Sequence, residues 1–162
     1  MNFQPLNEAN KSNLEKFNSE NSDLDEYLKK ISFIDEQDNL SRVFVGFEED
    51  LIVGFYSLSA SVVKRNKIDV LKDSRYSDIP SIKIGRLANC IERRGKGFGK
   101  KLLMDSFKNI ISISKIIGVS LVLVDAKNEE LIPFYEHLGF KRIGFSLNLY
   151  ISLNYLSKLP LN

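Results

Sequence analysis

The sequence predicts one domain of the α/β (α+β) class, a mixed central β-sheet flanked by helices. Three observations predict it. Two valine- and phenylalanine-rich runs on either side of Glu49-Asp50 read as an antiparallel hairpin. A basic, glycine-rich loop, "RRGKGFGKK" (Arg93 to Lys101), stands between a strand-like run and a long amphipathic helical pattern. The apolar "VSLVLVD" (Val119 to Asp125) then reads as a buried strand. Antiparallel strands followed by β-loop-α-β-α-β demand a sheet with both kinds of neighbour.

Along the chain, Phe3 to Leu6 is a short strand candidate. "SDLDEYLKKISFIDE" reads as a helix, with Ser22 and Asp25 at capping-box spacing and Leu24, Tyr27, Leu28, Ile31 and Ile34 on one face. "RVFVGFEEDLIVGFYSLSASVV" supplies the hairpin. Lys64 to Ser81 is a polar connection, and "IKIGRLANC" a strand that leads into the glycine loop. After the loop, Phe98, Leu102, Leu103, Phe107, Ile110, Ile111, Ser114 and Ile117 mark a helix that stops at Gly118. "KNEELIPFYEHLGF" is a short helix ended by Gly139. Pro133 means either that it begins near Leu131 or that its first turn is distorted. Strand-like segments around "KRIGF" and "LNLYISL" complete the sheet.

Composition sets the class of molecule. With 162 residues, 43% hydrophobic and 27% charged, one globular domain over residues 1–162 is expected. Against 23 basic residues stand 21 acidic ones, so any anion-binding patch must be local. Cys90 is the sole cysteine and has no disulfide partner in the chain. The opening "MNFQPLNEANK" lacks the basic and apolar blocks of a signal peptide, and no apolar run approaches the roughly 20 residues of a membrane span. A cytoplasmic protein without a membrane partner is the expectation.

The glycine loop is the chemical centre of the sequence. Glycine lets successive N–H groups converge on one anion, and the start of the following helix adds its dipole. A Walker phosphate loop does not fit, because Lys100 is followed by Lys101 where serine or threonine would hold magnesium. A dinucleotide fingerprint does not fit either: Gly95, Gly97 and Gly99 have the wrong spacing. A pyrophosphate on the loop, with Lys96 or Lys100 adding charge, is what remains.

"RRGKGFGKKLL" resembles the Gln/Arg-x-x-Gly-x-Gly/Ala signature of the GNAT N-acetyltransferases, with Arg94, Gly97 and Gly99 in the three fixed places. "FYEHLGF" (Phe134 to Phe140) is similar to the segment that closes that fold, and the order of elements agrees along the whole chain. The resemblance implies the GNAT acyl-CoA N-acyltransferase fold and acetyl-coenzyme A as co-substrate. Its pyrophosphate would lie on Arg94, Gly95, Lys96, Gly97, Phe98, Gly99 and Lys100. The preceding strand, through the main chain of Leu87, Ala88 and Asn89, would bond the pantetheine arm.

"SDLDEYL", "SRVFVGFEEDLIVGFYSLSASVV" and "IGRLANCIERRGKGFGKKLL" further resemble the GNAT toxins of bacterial toxin–antitoxin pairs, which acetylate the amino group of aminoacyl-tRNA. That resemblance implies a homodimer and a ribbon-helix-helix antitoxin. Asn89 and Cys90 stand where those toxins usually carry valine and aspartate, and Arg94 stands for glutamine. Main-chain groups do the cofactor binding, so these departures leave it in place. They also keep open an ordinary GNAT enzyme for a small amine or protein N-terminus, and a coenzyme A-binding module without catalysis.

Acetyl transfer to an amine releases a thiolate that benefits from a proton donor. Tyr135 has that role by resemblance, and a phenol with a reference pKa of about 10 is protonated at neutral pH. His137 is two positions away and on a helix points elsewhere, Cys90 reads as a small buried filler, Glu92 as a solvated turn residue, and no ligand set for a metal is present. Without an evident base the acceptor should supply a neutral amine itself. An α-amine of pKa about 7.7 is neutral in roughly one molecule in six at pH 7, a lysine only about once in a few thousand. Charged tRNA would need basic residues, and Lys64, Arg65 and Lys67 after the hairpin, with Arg93 and Lys101 around the loop, are the sources.

Overall fold

In the computed structural model, which describes residues 1–161, seven strands form one mixed sheet in the order β1-β2-β3-β4-β5-β7-β6. They are β1 (Asn2–Pro5), β2 (Arg42–Glu48), β3 (Leu51–Lys64), β4 (Asp78–Asn89), β5 (Leu121–Asp125), β6 (Lys141–Arg142) and β7 (Asn148–Ser152). The β1–β2, β2–β3, β5–β7 and β6–β7 pairs are antiparallel and β4–β5 is parallel. The chain divides into two compact units, Met1–Ser59 with Gly85–Ser106, and Ala60–Ile84 with the residues from Phe107 onward. Strands β3 and β4 and the long helix α3 (Phe98–Ser114) are continuous from one unit into the other.

In the first unit the hairpin turns at Glu49, whose φ of 55° is the left-handed geometry a tight turn needs. The predicted first helix is three pieces: α1 (Ser22–Glu26), a π turn (Tyr27–Ile31) and α2 (Ser32–Gln37). Its cap is Asn21 rather than Ser22. The Asn21 side chain accepts from the N–H groups of Asp23 and Leu24 at 3.1 and 3.3 Å, while Asp25 accepts from the Ser19 N–H and hydroxyl at 2.9 and 2.6 Å. The π turn also changes the apolar face. Tyr27 and Leu28 are buried as the period predicts, but Ile31 and Ile34 are 41% and 55% exposed, and Ser32 is buried in their stead. One extra residue in a turn rotates everything after it by about 100°, which a 3.6-residue period does not anticipate.

The core of this unit gathers Leu14, Phe17, Tyr27, Leu28, Val43, Val45 and Phe55, with Phe17 edge-on to Phe55 at 5.6 Å. Gly54 fixes how α3 lies on β3. A Cβ there would come within 2.8 Å of Leu102 Cδ1 and 3.0 Å of the Ala88 carbonyl, so only glycine permits the approach. Leu102 and Leu103, and further along α3 Phe107 and Ile110, are fully buried, as the helical pattern requires. The helix ends at Ser114, short of Gly118, and Ile117 is exposed.

The second unit buries Val63, Ile68, Ile79, Leu121, Leu123 and Tyr150. Pro133 is accommodated by a 3₁₀ turn (Glu129–Leu131) that passes into α4 (Ile132–His137), placing the proline in the first helical turn, where its missing N–H costs nothing. A short α5 (Leu153–Leu156), for which the sequence offers no periodic signal, packs its Tyr155 ring against Gly139. Gly139 has φ 96°, and a Cβ on it would lie 2.5 Å from Tyr155 Cε1. Gly139→Ala should therefore lose about 1–3 kcal/mol from backbone strain alone. That corresponds to a fall in Tm of at least about 2 °C. Gly118→Ala, where a Cβ meets nothing within 4 Å, should leave Tm unchanged. Thermal unfolding of both variants checks the assignment; equal Tm values would contradict it. Among the described residues no helix is long and apolar enough to cross a membrane.

Candidate active site

Strand β4 ends at Asn89, a 3₁₀ turn (Ile91–Arg93) follows, and the chain enters the glycine loop. Gly95 and Gly97 take φ of 71° and 78°, and nothing lies within 4 Å of where their side chains would be. Two left-handed residues around Lys96 curl the main chain into an open concavity, the shape that gathers N–H groups on an anion. Directly after it begins α3, whose first N–H groups have no carbonyl one turn back and whose first turn carries no acidic residue. Lys100 is exposed and Phe98 buried, so helix and loop are anchored by the aromatic ring while the cation stays accessible. These are the features a pyrophosphate requires, and the loop fits one.

Other charges in the stretch are committed elsewhere. The Arg94 guanidinium donates to Glu20 at 3.1 Å and to the Ser19 carbonyl, tying the loop to the approach to α1. Arg93 pairs with Glu48 at 2.7 Å, and the Lys96 ammonium donates to the Glu92 carbonyl at 3.0 Å. Of the connection's basic residues, Lys64 pairs with Asp78 and Arg65 donates to the Ser74 carbonyl. Lys67 and Lys101 have no carboxylate partner among the described residues, and Lys101 lies 4.8 Å above the Phe98 ring. Periodicity gives no warning of the Arg93 and Arg94 pairings, because those partners lie 45 and 74 positions away in the chain.

The end of β4 is shaped for a main-chain ligand. Its pairing with β5 covers Ser81 to Ile84 against Leu121 to Val124, so Leu87, Ala88 and Asn89 run on past that paired segment. The Asn89 side chain donates to the carbonyl of the next residue, Cys90, at 3.3 Å. Cys90 is buried, donates its S–H to the Ile52 carbonyl at 3.3 Å, and has its thiol pKa pushed up by burial. A neutral, hydrogen-bonded thiol is a packing group rather than a nucleophile.

In the second unit α4 carries Tyr135. Its ring is buried, 5.2 Å from the Phe134 ring and 5.7 Å from that of Phe140. The hydroxyl is different: it has no hydrogen-bond partner among the described residues, and it is not sealed from solvent. Burial, with a smaller contribution from the Asp125 charge, pushes the phenol pKa above its ordinary value. The group is thus a held phenol that stays protonated at neutral pH. His137 on the same helix is exposed. Sequence reasoning missed Asp125, which ends β5 and pairs with Lys83 at 2.5 Å. Its place at the carboxyl end of a buried strand, in a sheet with a parallel pair, is the signal that could have found it. Among the described residues no cluster of histidine, cysteine and carboxylate side chains could hold a metal.

Comparison with known proteins decides the family. No protein-family model matches the chain. A tRNA-acetylating toxin of Mycobacterium tuberculosis (strain ATCC 25618 / H37Rv) is 32% identical over 126 residues, 77% of this chain and 76% of that protein. The chain belongs to the GNAT toxin family. Solved structures agree with the fold. AtaT complexed with acetyl-methionyl-tRNAfMet superposes with a TM-score of 0.85 at 23% identity, over 96% of each chain. A tyrosine-to-phenylalanine mutant of AtaT bound to the C-terminus of the antitoxin AtaR and acetyl-CoA gives 0.81 at 21% identity, over 99% of this chain and 98% of that one. For this GNAT chain the mixed sheet, the glycine loop and the closing "FYEHLGF" segment fall where the sequence resemblance put them.

Proposed function

We propose that the protein transfers the acetyl group of acetyl-coenzyme A to the α-amine of aminoacyl-tRNA, blocking translation. The observation that carries the chemistry is Tyr135, a phenol with a buried ring and a hydroxyl that has no hydrogen-bond partner among the described residues. The acceptor class rests on the tRNA-acetylating relative. The main chain of Gly95, Lys96, Gly97, Phe98 and Gly99, with the Lys100 ammonium, holds the pyrophosphate; Leu87, Ala88 and Asn89 bond the pantetheine arm. Arg94, whose side chain is tied to Ser19 and Glu20, contributes by holding the loop in shape. The two units work as one catalytic domain, a reading supported by three elements continuous through both.

In the reaction the neutral amine attacks the thioester carbonyl, a C–N bond forms and the C–S bond breaks. Tyr135 gives its proton to the departing sulfur and regains one from solvent, while the amine's surplus proton leaves to water. None of these steps calls for a metal. The toxin setting adds an antitoxin of the ribbon-helix-helix kind, a homodimer and the cytoplasm, where charged tRNA is found; the AtaT structure with the C-terminus of its antitoxin supports an antitoxin partner, whatever its fold.

Incubating the protein with acetyl-coenzyme A and a pool of charged tRNAs should yield N-acetyl-aminoacyl-tRNA by mass spectrometry. No such product, under conditions where a small amine is acetylated, would leave an ordinary GNAT enzyme. The basic residues allow a second check. Lys67 is exposed, and unlike Lys64 and Arg65 it holds no neighbouring segment. Lys67→Glu should raise KM for charged tRNA severalfold and flatten its salt dependence, with acetyl-coenzyme A affinity unchanged. An unaltered salt slope would show that Lys67 meets no phosphate.

A further inference from the structure

Within the second unit, a cleft of about 580 Å³ opens between the end of β3, the end of β5 and the β6–β7 turn. Its floor is apolar, formed by the buried Val63, Leu123 and Leu149. On one wall lies the Lys83–Asp125 pair, and at the lip stands Phe145, 100% exposed. An aromatic ring fully in water is costly, yet the turn that presents it is held firmly. Arg142 donates to the Phe145 carbonyl at 2.8 Å and the Ser146 carbonyl at 2.6 Å, and its guanidinium is clamped by both oxygens of Glu129 at 2.9 and 2.5 Å. The ring is presented by structure, not left over by a loose loop.

We infer that this cleft seats the 3′-terminal aminoacyl-adenosine of the acceptor, with Phe145 stacking on the adenine and Asp125 receiving the α-ammonium before transfer. The inference rests on the proposed aminoacyl-tRNA reading and adds the residues that recognise the end of the RNA. One ligand matches every feature: a flat base for an exposed ring, a cation for a carboxylate, and an amino-acid side chain for an apolar floor. Lys67, also lining the cleft and without a carboxylate partner among the described residues, supplies positive charge for the terminal phosphates.

The charges are consistent with chemistry as well as with binding. Lys83 occupies Oδ2 of Asp125, and Oδ1 has no partner among the described residues, so a second cation has a place. A lone carboxylate would hold the ammonium proton too tightly for attack. Lys83 offsets that charge, and the amine loses its proton near its own pKa. Asp125 is also the carboxylate whose charge reaches the Tyr135 phenol, which ties the cleft electrostatically to the proposed proton donor.

Three acceptors separate the parts: charged tRNA, puromycin as a stable 3′-aminoacyl-adenosine amide, and methionine methyl ester, which has the α-amine but no nucleoside. Phe145→Ala should raise KM about tenfold for charged tRNA and puromycin and leave the methyl ester unchanged, since a stacked base is lost and nothing else. Phe145→Tyr should restore both, and Asp125→Asn should raise KM for all three. Circular dichroism and acetyl-coenzyme A affinity verify that each variant is folded. If the wild type acetylates charged tRNA while Phe145→Ala keeps its KM, the cleft inference fails and the acceptor reading survives. If the wild type acetylates only the ester, the acceptor reading fails and takes the inference with it. A shift of Phe145→Ala towards a smaller species in sedimentation, with KM unchanged, assigns the lip to a second copy of the chain and equally overturns the inference.

Discussion

Replacing Tyr135 by phenylalanine should lower kcat on charged tRNA about a hundredfold, the scale of a lost general acid, and leave acetyl-coenzyme A affinity unchanged. The ring is buried among Phe134 and Phe140 and phenylalanine fills the same space, so the fold survives. The hydroxyl makes no internal hydrogen bond among the described residues, so its removal orphans no partner. The whole effect is then chemical. A pH profile gives an independent reading. The active form is the neutral phenol, and burial and Asp125 both raise its pKa, so the alkaline limb of kcat should lie above the ordinary tyrosine value of about 10. In Asp125→Asn that limb should move down, because one of the two causes is gone. Full turnover in Tyr135→Phe, with chemistry shown to limit the rate, would reduce Tyr135 to a packing residue.

Gly97→Glu should weaken acetyl-coenzyme A binding at least tenfold. Gly97 has φ 78°, so a side chain there is strained, and a carboxylate added to the loop would repel the pyrophosphate proposed to lie on it. The strain is local and the neighbourhood open, with nothing within 4 Å, so the core is not disturbed. Calorimetry on a variant with wild-type circular dichroism measures the loss. Gly97→Ala separates the causes: it keeps the strain and omits the charge, and should fall between wild type and Gly97→Glu. Wild-type affinity in folded Gly97→Glu would remove the loop from the cofactor site.

What could be read without coordinates was whatever short-range pattern encodes. The hairpin turn at Glu49, the buried face of α3, the glycine loop before it and the short α4 that stops just before Gly139 are each set by residues within a few positions of one another. Periodicity and turn chemistry act over that range. The same logic erred where local alternatives were nearly equal. Asn21 and Ser22 are comparable caps, and contacts that no local rule contains chose between them. The π turn at Tyr27–Ile31 likewise exposes Ile31 and Ile34 against the pattern.

By itself, then, the sequence determined the class of fold and the position of the glycine loop, because each is written in neighbouring residues, while Tyr135 stood out through the resemblance of its segment to a known family. Tertiary structure alone decided which charges remain available. Arg94 meets Glu20 across 74 positions, Arg93 meets Glu48 across 45, and Lys83 meets Asp125 beside a cleft whose lip is Phe145. A charge that looks free in a linear reading is free only if no partner folds against it. Whether a tyrosine's hydroxyl or a phenylalanine's ring faces water is set in the same way, by the packing of elements that lie far apart along the chain.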